Sequence, residues 1–247
     1  MDVLEQVAER IKSARGIFVF IGSGLSAASG VPLYRDEEGK YIHPEVLPYT
    51  QRKTFDEDPA RMLAWYNQKR ASLDRVWPNG AHYALAKLAA FKPCVFATQN
   101  VDGLLEQALE HEDVDAEVLR LHGSLRISRC DACKTRDYSN AEWGLENRCQ
   151  RCGELLRPDV VWFGEPLPRG LVDAATEALL ESSVCLIVGS SGLVFPAAEL
   201  PSYASERGLY VVEVNTHESH FSADADVFLK GPAEEVLPAL NEAIGLL

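Results

Sequence analysis

The sequence predicts an α/β protein: an open, doubly wound parallel sheet with a separate small module. Three observations carry that expectation. Short apolar runs recur along the chain, each followed by a stretch with helical spacing. Glycine-rich and polar turns fall where those runs end, and ligands of doubly wound sheets bind along that edge. Residues 124–157 break the pattern, with four cysteines and few aliphatics.

The elements follow in order. Residues 2–13 place Val3, Leu4, Val7 and Ile11 on one helical stripe. Ile17–Ile21 is an unbroken apolar run that suits a strand buried on both faces. Ser26-Ala27-Ala28-Ser29 suits the first turn of a helix. Residues 35–57 lose periodicity and gain charge and proline, which reads as a long loop. Asp58-Pro59 starts a helix to about Leu73, and another spans about Ala81 to Phe91. Pro93–Thr98 and Val118–Leu121 read as strands around a helix bearing Leu104, Leu105 and Leu109. Asp159–Phe163 returns to strand pattern. Leu171–Leu180 is a helix, Val184–Val188 a strand, and Pro196 opens a helix to about Arg207. Leu209–Asn215 and Ala225–Leu229 are strands, and Glu234–Ile244 is a closing helix.

Composition narrows the function classes. The chain is 47% hydrophobic and 25% charged, ordinary for a soluble domain. A formal charge of -13 argues against a nucleic-acid partner. No apolar run is long enough for a membrane span. The acidic, helix-patterned start is unlike a secretory signal, so a reducing cytoplasm is expected. There cysteines favour metal over disulfides.

Gly22-Ser23-Gly24 follows the first strand and suits a diphosphate cradle, in which glycines admit backbone N–H groups to the anion. An ordinary strand-to-helix turn is the alternative. Gln99-Asn100-Val101-Asp102, His122-Gly123, Gly189-Ser190-Ser191 and Asn215 end other proposed strands, which favours the nucleotide site. A dehydrogenase is disfavoured: the third glycine is Gly30, and Glu37 and Glu38 follow no strand. No G-x-x-x-x-G-K-[ST] occurs, which argues against kinase or ATPase chemistry. Cys130-x-x-Cys133, fifteen residues, then Cys149-x-x-Cys152 is a zinc-ligand pattern, and four thiolates leave no position for water. Two redox pairs are the alternative. Cys94 and Cys185 lie in apolar strands and read as packing.

G-S-G-L-S-A-A-S-G-V-P-L-Y-R, T-Q-N-V-D-G-L, L-H-G-S, the paired C-x-x-C, R-P-D-V-V-W-F-G-E, G-S-S-G-L-V-F-P-A and V-N-T, in this order, resemble the sirtuin deacylases. The resemblance implies a Rossmann-like domain (1–34, 76–123 and 158–247) and a smaller domain. The smaller domain comprises a helical insert (35–75) and a zinc ribbon (124–157) around one structural Zn2+ held by Cys130, Cys133, Cys149 and Cys152. It implies NAD as co-substrate and acyl-lysine proteins or peptides as partners. It implies His122 as general base, with Asn100 and Asp102 at the nicotinamide end and Gln99 beside them. Gly22, Ser23, Gly24, Ser26 and Arg35 would meet the diphosphate and nearer ribose, and Gly189, Ser190, Ser191, Asn215 and Ala233 the adenosine. Val161, Trp162 and Phe163 would flank the acyl-lysine, which pairs as an added strand. A histidine has a suitable pKa to deprotonate a ribose hydroxyl near neutral pH. His43, His82, His111, His217 and His220 read as surface or packing residues.

Three positions depart from the family pattern. Ser23 replaces alanine, and Tyr34 replaces a phenylalanine that shields the reactive carbon. Tyr66 with Lys69 stands where desuccinylase-like members carry Tyr-x-x-Arg to grip an acyl carboxylate. An ammonium lacks the planar fork, and Arg70 points about 100° further round the helix. Plain packing of Tyr66 and a solvated Lys69 is the alternative. Two other readings of the whole chain remain open, an ADP-ribosyltransferase and a non-catalytic zinc-ribbon binding module. The sequence leaves oligomeric state open, a monomer included.

Overall fold

The computed structural model describes residues 2–36, 38–139 and 141–246; Met1, Glu37, Asn140 and Leu247 lie outside the described residues. The chain starts on α1 (Val3–Ser13), where Asp2 accepts the Leu4 N–H and Glu5 reaches back to the Asp2 N–H. That capping box satisfies donors that a helix start leaves unpaired. β1 (Ile17–Ile21) follows, then a 3-10 turn over Ser23–Ser29. The expected α-helix after the glycines is therefore replaced by this tighter turn, which Gly30 ends at φ +88°.

The stretch expected to be loop also contains structure. Pro44–Thr50 forms a second 3-10 turn and α2 spans Arg52–Glu57. Both are too short to show a helical repeat in the sequence. α3 (Pro59–Leu73) begins at the expected Asp58-Pro59 pair, with the Asp58 side chain accepting the Arg61 N–H. α4 (Gly80–Phe91), β2 (Cys94–Thr98), α5 (Leu104–His111) and β3 (Glu117–Arg120) complete the first half. Next come β4 (Gly123–Cys130), β5 (Arg136–Asp137) and β6 (Leu156–Val160). α6 (Arg169–Glu181), β7 (Val184–Val188), α7 (Glu199–Glu206), β8 (Tyr210–Asn215), β9 (Val227–Lys230) and α8 (Ala233–Ile244) close the chain.

Six strands form a parallel sheet in the order β3-β2-β1-β7-β8-β9. Counted among themselves they run third, second, first, fourth, fifth, sixth, which is the doubly wound order. β1 shows why helices cover both faces. Ile17, Val19 and Ile21 pack in a core with α1, α4, α5 and α8, while Phe18 and Phe20 pack with α6 and α7. Successive side chains point to opposite faces, so a wholly apolar strand needs cover on each.

β5, β4 and β6 make a separate antiparallel sheet. This moves one boundary read from the sequence, since the chain from 158 begins in the small sheet rather than the large one. All five residues of β6 are buried, so it shows no alternation and reads like a strand of the parallel sheet. Leu125, Val160 and Trp162 share a core with Phe55, Met62, Leu63 and Tyr66 of the helical insert. Among the described residues no helix is long and apolar enough to cross a membrane.

Candidate active site

The strand order reverses between β1 and β7, and there two turns press together. The Gly22 N–H donates to the Val188 carbonyl and the Gly24 N–H to the Gly189 carbonyl, each at 2.9 Å. A Cβ on Gly22 would lie 2.5 Å from the Gly189 oxygen, and one on Gly24 would lie 2.6 Å from the Gly189 Cα. Gly189 itself has φ +59°. Both N–H groups are thus spent on the protein, and these glycines serve the contact between turns. Side chains stitch the neighbouring ends. Ser190 Oγ donates to Gln99 Oε1 at 3.1 Å, and Asn215 Nδ2 donates to the Ser190 carbonyl at 3.0 Å. The Gly231 N–H donates to the Asn215 carbonyl at 2.9 Å, which brings buried Ala233 at the start of α8 to the same end. Ser23 and Ser191 are half-buried on these turns.

Ser26 is fully buried at the centre of a directed chain of hydrogen bonds. The Asn79 N–H donates to His82 Nδ1 at 3.1 Å, so the ring proton sits on Nε2. Nε2 lies 3.3 Å from Ser26 Oγ, which donates to Asp102 Oδ2 at 2.8 Å. Asn100 Nδ2 donates to Ser26 Oγ at 3.2 Å, and the Leu104 N–H to Asp102 Oδ1 at 2.9 Å. Burial pushes the His82 pKa down to about 4. Burial raises that of Asp102, while the Leu104 and Ser26 donors hold it down in part.

His82 and Asn79 are site residues that the sequence reading missed. Asn79-x-x-His82 is a capping box opening α4, and that spacing was the available signal. Glu213 was missed as well. It is fully buried in β8, with Oε1 3.3 Å from Asn215 Nδ2 and Oε2 2.5 Å from Ser222 Oγ. A lone glutamate in an apolar run was its only trace.

His122 stands at the end of β3. Its Nδ1 lies 3.1 Å from the Gln99 carbonyl, which can only accept, so Nδ1 carries the proton and Nε2 keeps its lone pair. Burial lowers the His122 pKa, with the Gln99 carbonyl pulling partly the other way. The ring is therefore a neutral base at neutral pH. Arg35 is folded onto its own loop, bonding the Gly39 carbonyl at 2.6 Å and the Tyr41 hydroxyl at 2.9 Å. Tyr34 is 48% exposed as a residue, yet burial of its hydroxyl and the nearby Asp102 carboxylate raise its pKa.

On the side of the smaller sheet, the Val161 N–H donates to the His122 carbonyl at 3.0 Å and the Phe163 N–H to Thr50 at 2.8 Å. The Trp162 N–H donates to Glu165 Oε2 at 3.0 Å. The N–H donors of 161–163 are all spent internally, and exposed Gly164 follows at φ +90°. Phe163 is 42% exposed, but Trp162 is 2% exposed and packs behind it against Phe55 and Tyr66. The Tyr66 hydroxyl accepts from Trp162 Nε1 at 2.7 Å and donates to the Tyr49 carbonyl at 3.1 Å. Lys69 Nζ lies 5.2 Å from the centre of the Trp65 ring. Arg70 is turned away, bonding the Ala141 carbonyl at 2.9 Å over Trp143.

The Sγ atoms of Cys130, Cys133, Cys149 and Cys152 lie within 4.8 Å of one another, with closest pairs at 3.4 Å. Tetrahedral zinc–thiolate bonds of ~2.3 Å require S···S edges of roughly 3.8 Å, so the four sulfurs fit one zinc ion. The two turns match: the Lys134 N–H returns to Cys130, and the Gly153 N–H to Cys149. Cys94 and Cys185 are buried elsewhere, and burial pushes each thiol up to about 12.

A sequence model of the Sir2 family matches residues 22–196, from the glycine turn through the cysteine module to the turn after β7. The chain belongs to the Sir2 family. This sirtuin is 41% identical over 242 residues to NAD-dependent protein deacylase 2 of Pyrobaculum aerophilum, covering 96% of this chain and 94% of that protein. It is 41% identical over 234 residues to the NAD-dependent protein deacylase of Ralstonia nicotianae, covering 93% and 92%. Among solved structures it resembles a Sir2 homologue in complex with NAD, with TM-score 0.86, 34% identity and coverage of 99% and 94%. A mutant Sir2 homologue with ADP-ribose gives TM-score 0.88 at 32% identity, covering 99% and 97%.

Proposed function

We propose that this sirtuin removes acyl groups from protein lysines, consuming NAD and water and releasing nicotinamide, O-acyl-ADP-ribose and free lysine. The observation that carries this reading is His122, whose Nδ1–H is committed to Gln99 while Nε2 is left as a base. NAD supplies the ribose carbon that receives the acyl oxygen and the hydroxyl that His122 relieves of its proton. Asn100 and Asp102, held by Ser26, offer a fixed amide and carboxyl to the nicotinamide carboxamide. The turns at Gly22–Gly24 and Gly189–Ser191, with Asn215 and Ala233, take the diphosphate and adenosine. Val161 and Phe163 flank the acyl-lysine, and backbone pairing with the substrate starts at Gly164.

The acyl group is short and neutral. The Tyr66 hydroxyl donates to Tyr49, and Lys69 rests against Trp65, so neither is set as half of a carboxylate clamp. A panel of acetyl-, propionyl- and succinyl-lysine peptides with NAD, read by mass spectrometry, tests both statements. Acylated ADP-ribose is expected from acetyl and propionyl peptides, weakly from succinyl, and from none with His122→Ala. Nicotinamide release without acyl-peptide would instead indicate ADP-ribosyl transfer. Lys69→Arg is expected to leave succinyl turnover little changed, because the Tyr66 hydroxyl stays committed to Tyr49. A gain of roughly tenfold, the ~1.4 kcal/mol of one more charge-assisted bond, would instead indicate a carboxylate-binding role for that helix face.

A further inference from the structure

Arg52, Arg129, Asp131, Arg157, Asp159 and Glu165 gather where the small sheet, the helical insert and the segment after β6 meet. Arg157 is the centre, its side chain fully out of solvent. Its guanidinium forks onto Glu165 at 2.5 and 3.1 Å and bonds the Val160 carbonyl at 2.5 Å. Its carbon lies 3.5 Å over the centre of the Trp162 ring. Glu165 in turn accepts the Trp162 N–H at 3.0 Å. Asp131 sits between Cys130 and Cys133, 3.4 Å from Arg157, and pairs with Arg52. The Arg52 N–H then donates to the Phe163 carbonyl at 3.3 Å.

Stability alone is a poor account of this cluster, because apolar residues of similar volume often serve as well. Its distinctive property is connection. The Arg157 guanidinium joins the metal turn to the backbone of 160–165, and Arg52 of the insert pairs with the same Asp131 and Glu165.

We propose that Arg157 and Glu165 are positioning residues for the acyl-lysine, and that Asp131 makes the seat of Val161–Phe163 depend on the metal-bound turn. The proposal rests on the reading that this segment flanks the acyl-lysine. Cys130, Cys133, Cys149 and Cys152 would hold the ion, and its binding would fix the turn that carries the Asp131 carboxylate. Asp131 steadies the guanidiniums of Arg157 and Arg52, which both hold Glu165, while the Arg52 backbone N–H carries the Phe163 carbonyl. A closed metal turn would thereby shape the substrate side through the charge it places.

The test compares the zinc-loaded full chain with Asp131→Asn and Glu165→Gln. Zinc content, KM for acetyl-peptide, KM for NAD, and hydrogen exchange of the peptide covering 161–165 are measured. Expected are one zinc per chain, exchange in 161–165 at least tenfold faster, acetyl-peptide KM about tenfold higher, and NAD KM within twofold of wild type. Unchanged exchange in 161–165 overturns the proposal. So does a parallel rise of both KM values, which a merely structural role would produce. If Asp131→Asn sheds zinc, the metal dependence is read instead from exchange in 161–165 of the chelated wild type, while Glu165→Gln tests the positioning. Absence of any deacylation would sink the functional reading separately, and the exchange data would still decide this one.

Discussion

The hydrogen-bond chain through Ser26 starts at the Asn79 N–H, and that first bond needs His82 neutral, because a protonated Nδ1 cannot accept. A histidine titrating near 4 in the folded chain and near 6.5 in the unfolded one binds fewer protons when folded. Stability is then unaffected above pH 6.5, falls as pH drops below it, and bottoms out below pH 4. The full loss is about 3 kcal/mol at ~1.4 kcal/mol per pH unit. Urea midpoints measured between pH 7 and pH 4 are expected to fall, and His82→Gln to flatten that slope. An equal slope in the variant would show that His82 does not take up the proton. At this scale the sequence singled out residues whose type announces chemistry, His122 and the four cysteines, and the structure brings the cysteines together. The sequence hid those defined by depth. His82 and Asn79 carried only a capping-box spacing and Glu213 only a lone charge in an apolar run, and burial with their partners marks them out. Trp162 shows the converse, since its motif suggested substrate contact while its side chain lies behind the wall.

Among elements, the glycine turn shows how a motif can be found for a partly wrong reason. Gly22 and Gly24 looked like openings for an anion, but their N–H groups are used by Val188 and Gly189. Their lack of a Cβ lets two strand ends touch. Gly24→Ala would place a carbon 2.6 Å from the Gly189 Cα, where backbone must shift. A loss of about 1–3 kcal/mol is expected from such overpacking, seen as a lower thermal midpoint. Gly170→Ala in α6 meets nothing within 4 Å and is expected to be neutral or stabilising. Equal behaviour of the two would remove the contact argument. The long helices and β1, β2 and β7 were legible because apolar runs and caps are local signals. The turn at Pro44–Thr50 and helix α2 were not, being shorter than a helical repeat, and β6 was misplaced because both its faces are covered.

At the level of the whole molecule, the two sheets have separate cores, and the cysteines pack with Leu156 of the smaller sheet in a cluster of their own. Metal binding and folding should be linked there. Chelation is expected to lower the unfolding midpoint and acyl-peptide turnover together, with zinc restoring both. Full activity in a metal-free, folded chain would refute a structural ion. The doubly wound parallel sheet was visible in the alternation of elements, whereas its strand order and the pairing of β6 with β4 needed three dimensions.

The meeting of Gly24 with Gly189 has one more consequence. Gly24 follows β1 and Gly189 follows β7, so the two turns can touch only once most of the large sheet has been made. A growing chain that has not yet made β7 leaves the Gly22–Gly24 turn with nothing to close against. The point where the strand order reverses is thus finished by a pairing between distant parts of the chain, and such pairings are slow to form.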